Sequence, residues 1–327
     1  MAVNNLGYTS MEAAADYLGN GAIEVPIFQR EISDIVRRRG VLGQRLETMG
    51  AYRPATGNPS RWFQQSALPN NQAYSDPRNI TATAASNTLR AEYALNIKAL
   101  TGQINFGLFD REVTQQQGLY TQLQAKDLED MITGLYQLED LHLWNGAAAS
   151  ITDTSSTDIC GLQTQITLTA TNTSGSIIDF IRTQIASMVA NASWVVRPTA
   201  IYLNPMLLDL IEQEAKNNAT TLRNVMLGTM EVVPGVEVSA INTAAGKLPL
   251  IPAWELATSA GANSTTNYPC YVISENLLEY HYVGDKNVRV FQLGLVSDLQ
   301  QKFVGVKFGA PVAKYPSVAH AALTINR

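Results

Sequence analysis

The chain has 327 residues, 46% of them hydrophobic and 16% charged, with a formal charge of −5 from 23 basic and 28 acidic side chains. That length holds one large core or two smaller ones, and the apolar fraction excludes a disordered chain. The acidic balance excludes a general affinity for phosphate backbones. A charge density below the roughly 25% of ordinary soluble proteins implies a surface of Asn, Gln, Ser and Thr, which loses little when buried against neighbours because few ions need desolvating. Cys160 and Cys270 are too few for a disulfide framework and are expected as free thiols in a reducing compartment. The N-terminal MAVNNLGYTSMEAAADYL has neither basic leader nor apolar run, and no window of about 20 residues is apolar enough to span a bilayer. The expectation is a soluble protein made in the cytoplasm, with no membrane partner.

In chain order, residues 1–55 read as an arm. The segment IFQREISDIVRRRG has helical spacing at Ile27, Ile32, Ile35 and Val36, with basic residues in its last turn and Gly40 at its end. Arg37, Arg38 and Arg39 form a basic cluster that is either DNA-facing or a solvated or intersubunit helix end. Residues 60–100 change to two extended segments, SRWFQQ and TLRAEYALNIKALTG, joined by a long polar stretch. Leu89, Ala91, Tyr93, Leu95 and Ile97 alternate with Arg90, Glu92, Asn96 and Lys98, as in a strand. A two-stranded projection is marginal alone in water, so its stabiliser is expected to be another molecule.

A long amphipathic helix follows, LYTQLQAKDLEDMITGLYQLEDLHLWNG, about seven turns long. Leu128, Met131, Ile132, Leu135, Leu138 and Leu141 line one face, while Lys126, Asp127, Glu129, Asp130, Glu139 and Asp140 suit an outward face. Asn145-Gly146 is read as a stop that tolerates left-handed backbone angles. Then come the polar loop AAASITDTSSTD and Gly161-Leu162-Gln163. A second helix is expected from Ser176 to about Ala192, with Ser176 as N-cap. A buried strand ends at Asn204-Pro205 and feeds directly into a helix, which argues for a mixed sheet with helices on its faces. The last third is mostly strand: a turn around Pro234-Gly235, a hairpin LLEYHYVGDKNVRVFQLG bending near Gly284-Asp285, and a long run KFVGVKFGAPVAKYPSVAHAALTI. In that run Pro311 and Pro316 point to an edge or bulges.

Chemistry is sparse. His142, His281 and His320 sit in different elements without metal-ligand spacing, and neither a phosphate loop nor a Gly-x-Ser-x-Gly elbow occurs. Gly19-Asn20-Gly21 is followed by Glu24 where a dinucleotide fingerprint needs glycine. No catalytic residue, metal site or cofactor is expected.

The ordered series of arm, extended loop, spine helix, Asn-Gly then Gly-Leu, capped helix, Ile-Tyr-Leu-Asn-Pro and final extended run resembles the Hong Kong 97-type major capsid proteins of tailed phages. The resemblance implies an α+β Hong Kong 97-like fold with arm (1–55), extended loop (56–102), peripheral domain with the spine helix (103–197), axial domain with a mixed sheet (198–299), and a C-terminal strand completing the peripheral domain (300–327). It implies pentamers and hexamers of this chain closing an icosahedral shell around double-stranded DNA, in a virion assembled in a host bacterial cytoplasm. Portal, scaffold or decoration proteins are further partners it allows. Trp62, Phe63, Tyr74 and Arg78 are the loop residues expected to anchor on a neighbour, and Glu129, Asp130, Glu139 and Asp140 the positions expected to receive them. Lys216, Arg223 and Asn263 lie in loops expected at the capsomer axis. Some relatives crosslink through a lysine near the loop tip. Between Ser60 and Ile97 there is none, so no such bond is expected. A hinge near Gly102 or Gly107 is expected for shell expansion. An encapsulin-type compartment would share these elements, and a soluble α/β enzyme is the alternative of another class.

Overall fold

The computed structural model describes residues 39–69, 76–79, 87–107, 112, 120–217, 227–233, 236–261, 264–293 and 300–327. In chain order the elements are α1 (Val41–Thr48), β1 (Tyr52–Pro54), β2 (Ser60–Ala67), β3 (Leu89–Leu95), β4 (Lys98–Gly107), α2 (Tyr120–Asn145), α3 (Leu162–Gln165), β5 (Thr169–Asn172) and α4 (Ile177–Val189). They continue as β6 (Ala200–Leu203), α5 (Pro205–Asn217), β7 (Leu227–Val233), β8 (Val236–Thr243), β9 (Gly246–Pro252), β10 (Ser259–Ala260), β11 (Thr266–Ile273), β12 (Leu278–Tyr282), β13 (Arg289–Leu293), β14 (Gln300–Ala313) and β15 (Ala321–Asn326).

The larger sheet runs β5-β15-β11-β6-β9-β8-β7, with β10 beside β11. Its pairings are mixed: β6 is antiparallel to β11 and parallel to β9. Strand alternation divides the core in two. Ile201, Leu203, Cys270 and Val272 face a cluster built with Ile181, Ile185, Leu207 and Ile211 of α4 and α5. Ala200, Tyr202, Tyr271 and Ile273 face the other side, against Leu42 and Leu46 of α1 and Leu143 and Trp144 of α2. The expected mixed sheet with helices on its faces is therefore present. Its caps are also as expected. Ser176 Oγ accepts the Asp179 N–H at 3.1 Å, and Asn204 Oδ1 accepts the Met206 N–H at 2.8 Å.

The second sheet is β1-β12-β14-β13, with β4 on the opposite edge of β14. At 26 residues, α2 is about 39 Å long and serves both layers. Near its middle, Leu135 covers Gly102 of β4 and Gly305 of β14, where a Cβ would fall 2.9 and 2.7 Å from its side chain. At its end, Trp144 packs on Tyr202 and Tyr271 with ring centroids 5.4 and 5.0 Å apart.

Four expectations need correction. The segment from Leu278 to Leu293 is not a hairpin: β12 and β13 both pair with β14, which at 14 residues holds them end to end. Gly146 and Asn145 do not take positive φ. Gly146 is needed because its backbone crosses that of Gly161, and a Cβ there would sit 2.4 Å from the Ile159 carbonyl oxygen. The hinge expected near Gly102 falls mid-strand in β4, where Gly102 is paired with Gly305 under Leu135. Sheet membership does not follow the limits at 197 and 299. β5 and β15 belong to the larger sheet, and β12 and β13 to the smaller. Pro311 does sit where β14 has lost a neighbour, beyond the last β4 pairing at Gly309. The arm helix expected before Gly40 lies outside the described residues, and Gly40 caps the start of α1.

Candidate functional site

The ribbon β2-β3 is a sheet of two strands paired only with each other. Its register sets Trp62 against Tyr93 and Phe63 against Glu92, with an irregularity between Gln65 and Ala67. Alternation then gives the ribbon two faces. Trp62, Gln64, Ala91 and Tyr93 share one, while Arg61, Phe63 and Glu92 share the other.

The root of the ribbon is fixed to the body. Trp62 stacks on Tyr93 with centroids 6.0 Å apart and meets His281 edge-on at 5.5 Å. Ser60 Oγ lies 2.7 Å from His281 Nδ1, and His281 Nε2 lies 3.1 Å from Glu279 Oε2. Burial holds the His281 pKa below its ordinary value, against the pull of Glu279. Neutral His281 therefore donates through Nε2 to Glu279 and accepts the Ser60 hydroxyl through Nδ1. The burial of Glu279 opposes its ionisation, but hydrogen bonds from Lys314 and His281 outweigh that and keep it below the usual carboxylate range. Farther out, Tyr315 Oη donates to the Gln65 carbonyl at 3.1 Å, and Arg61 pairs with Glu92 at 3.1 Å.

On the face and outer end that these anchors leave free, the ribbon carries large apolar side chains in the open. Phe63 is 71% exposed, Leu68 75% and Leu89 61%. Trp62, by contrast, is half-buried on its own subunit. Arg78 is exposed, its N–H donating to Asp76 Oδ1 at 2.9 Å. Tyr74 lies outside the described residues, as do Arg37, Arg38, Arg223 and Asn263. Lys216 is near the end of α5, with its side chain outside the description. Arg39 folds back on its own subunit, 2.6 Å from Glu47 and 4.6 Å above the Tyr136 ring.

On α2, Glu129 and Asp130 are exposed as expected, with Lys126 pairing to Asp130 at 3.0 Å. An open groove of about 460 Å³ runs between α2 and β4, with Met131, Leu135 and Leu138 on its floor and Asp127 and Asp130 at its rim. Leu138, expected in the core, is 42% exposed.

Glu139 and Asp140 are corrected. They are 4% and 2% exposed, facing the interior of their own subunit. The buried stripe of α2 is Leu135, Glu139, Leu143 with Asp140 and Trp144 beside it, a helical row that includes two acids. Lys307 Nζ lies 2.7 Å from both Glu139 oxygens. Asp140 Oδ2 accepts the Gly40 N–H at 2.5 Å. Burial pushes the Asp140 pKa up to about 7, with Glu139 and Glu255 adding to the effect against Gly40 and Arg39. These partners lie 168 and 100 residues away in sequence, so spacing alone could not reveal them.

His142 Nδ1 pairs with Asp158 Oδ1 at 2.6 Å, and Asp158 also accepts the Ala147 and Ile159 N–H groups. The pair lines a cavity of about 390 Å³ with Lys98, Leu138 and Tyr280. It binds the polar loop after α2 back onto the helix. Lys98 Nζ continues the same task, donating to the Asp153 and Ser156 carbonyls at 2.9 and 2.5 Å. Among the described residues no cluster of three or more His, Cys, Asp or Glu could hold a metal ion, and no helix is long and apolar enough to cross a membrane. Cys160 and Cys270 are unpaired and buried.

No family model and no curated protein matches the chain. Solved structures do. The chain is similar to Gordonia phage Cozz at 12% identity and a TM-score of 0.60, over 93% of this chain and 91% of that one. It is similar to the capsid asymmetric unit of cyanophage A-1(L) at 11% and 0.60, over 96% and 99%. It is also similar to the acidic stable capsid structure of Helicobacter pylori bacteriophage KHP30 at 10% and 0.60, over 100% and 99%. End-to-end likeness at such identities is likeness of fold, and this chain has the α+β Hong Kong 97-type fold of phage capsid proteins.

Proposed function

We propose that this chain is the major capsid protein of a tailed double-stranded DNA phage. It is a structural subunit that assembles into pentamers and hexamers of an icosahedral shell. The observation that carries the reading is the ribbon β2-β3, anchored at its root and exposing Phe63, Leu68 and Leu89 beyond it. A subunit acting alone gains nothing from ordering such a projection, whereas a neighbour beneath it would bury all three side chains. The fold shared with structures titled as capsids supports the same reading. The groove between α2 and β4, with its apolar floor and the acids Asp127, Glu129 and Asp130 nearby, is the surface proposed to receive the ribbon and its Arg61, Arg78 and Arg90. The smaller sheet with α2 corresponds to the peripheral domain, and the larger sheet to the axial domain. Portal, scaffold or decoration proteins and packaged DNA are the further partners of this reading, and the role is mechanical.

The test is sedimentation velocity and electron microscopy of the expressed chain, alone and co-expressed with the neighbouring genes of its locus. Ring-shaped capsomers or megadalton particles are expected. Phe63→Ser with Leu89→Ser should leave the subunit's melting temperature unchanged and abolish the particles. A monomer under every condition, or full assembly of the double variant, would sink the proposal.

A further inference from the structure

Strand β13 is the edge of the smaller sheet, and among the described residues no strand covers it. All five residues, Arg289 to Leu293, are exposed. Val290, Phe291 and Leu293 are 38%, 49% and 46% exposed. Natural edges are blunted by lysine, proline, bulges or covering segments. β13 contains neither Lys nor Pro, its register with β14 is unbroken from Arg289↔Val306 to Leu293↔Lys302, and nothing pairs with its outer side among the described residues. The opposite edge differs. The exposed positions of β4 are Ala99, Thr101, Gln103 and Asn105, small or polar side chains that do not reward a partner.

Both faces of β13 carry exposed apolar side chains. Val290 pairs with Gly305, on the α2 side of the sheet, whereas Phe291 and Leu293 lie on the other face beside Val304 and Lys302. A docked helix would cover one face and leave the edge N–H and C=O groups to water. An added strand satisfies the edge and lays side chains over both faces.

We infer that β13 pairs antiparallel with β13 of a second copy of this chain across a two-fold axis at Phe291, joining two five-stranded sheets into one of ten. The strand is complementary to itself in this register. Phe291 meets Phe291, Val290 meets Gln292, and Arg289 meets Leu293, so no like charges oppose. The two Arg289 side chains stand about 14 Å apart along the strands. Self-pairing of one patch is an isologous contact. It is separate from the head-to-tail ribbon contact and links copies the ribbon does not. The inference rests on the reading that copies of this chain assemble.

Phe291→Cys in the full chain tests it, because Cys160 and Cys270 are buried and do not compete. Mild oxidation of assembled particles should convert most chains to dimers of twice the subunit mass on a non-reducing gel, while Asn105→Cys on the β4 edge should give none. In the unmodified protein, amide exchange over residues 289–293 should slow at least tenfold on assembly. Particles that assemble but give no Phe291→Cys dimer and no slowing overturn the pairing and leave the shell reading intact. Slowing without a dimer means that a different segment occupies the edge, which also overturns it. If no particles form, the shell reading fails, and oxidation of the concentrated subunit decides the pairing: a dimer supports it, and its absence overturns it.

Discussion

Lys307 and Glu139 form an ion pair inside the subunit, with side-chain exposures of 1% and 4%. The ammonium lies 4.9 Å from the centroid of Tyr280 and 5.3 Å from those of Tyr52 and Tyr136. Pairing and cation–π contact together offset the desolvation of two charges. Lys307→Met leaves a buried carboxylate unpaired and should cost about 3–5 kcal/mol. Lys307→Met combined with Glu139→Leu should recover most of that loss. Urea unfolding of the wild type, both single variants and the double checks this, and a double variant weaker than either single would contradict it.

Asp140 makes the subunit sensitive to alkali. Its folded pKa of about 7 lies above the unfolded value of 3.8, so the folded state holds its proton more tightly. The stabilisation is fully present below about pH 4 and is lost as pH rises through 7. The groups facing it are Glu139, Glu255, Arg39 and the Gly40 N–H. A shift of about 3 units sets an upper bound on the order of 4 kcal/mol. Urea midpoints of the wild type should fall between pH 4.5 and 7.5, and Asp140→Asn should flatten that slope.

Two glycines in one stretch of chain should respond oppositely to alanine. Gly146→Ala drives a Cβ to 2.4 Å from the Ile159 carbonyl and 2.8 Å from the Gly161 nitrogen, backbone atoms that cannot yield, and should prevent soluble folding. Gly134 lies within α2 with nothing within 4 Å of its Cβ position. Gly134→Ala should stabilise by about 1 kcal/mol, read as a rise in the thermal midpoint.

Ser60 and His281 hold the ribbon root. Ser60→Ala removes the hydrogen bond to Nδ1, at a cost of about 1 kcal/mol. Limited proteolysis should then cut between Ser60 and Leu95 several-fold faster, with the midpoint of global unfolding almost unchanged. Equal cutting rates would show that Trp62 and Tyr315 hold the ribbon without this hydrogen bond.

Phe63 was legible because it sits in a run too polar and too short to make a core. Ser176 and Asn204 were legible because a cap acts within three residues of itself. The long apolar spacing of α2 and the period-2 alternation of β3 are likewise local. The ordered series of such elements pointed to the capsid fold before any contact was visible.

Helix periodicity, caps and alternation depend on neighbours in the chain, so most elements and their order could be read without knowing a single long-range contact. The tertiary structure alone decided which side of α2 is inside. Apolar spacing put Leu138 inward and Glu139 and Asp140 outward, yet Lys307, brought in by β14, and the Gly40 N–H satisfy the acids and turn that face to the core. It alone set β12 and β13 end to end on β14 and assigned Gly102 and Gly146 to close packing. Each of these outcomes depends on a partner distant in sequence, and burial of a charge or approach of a backbone is decided by that partner.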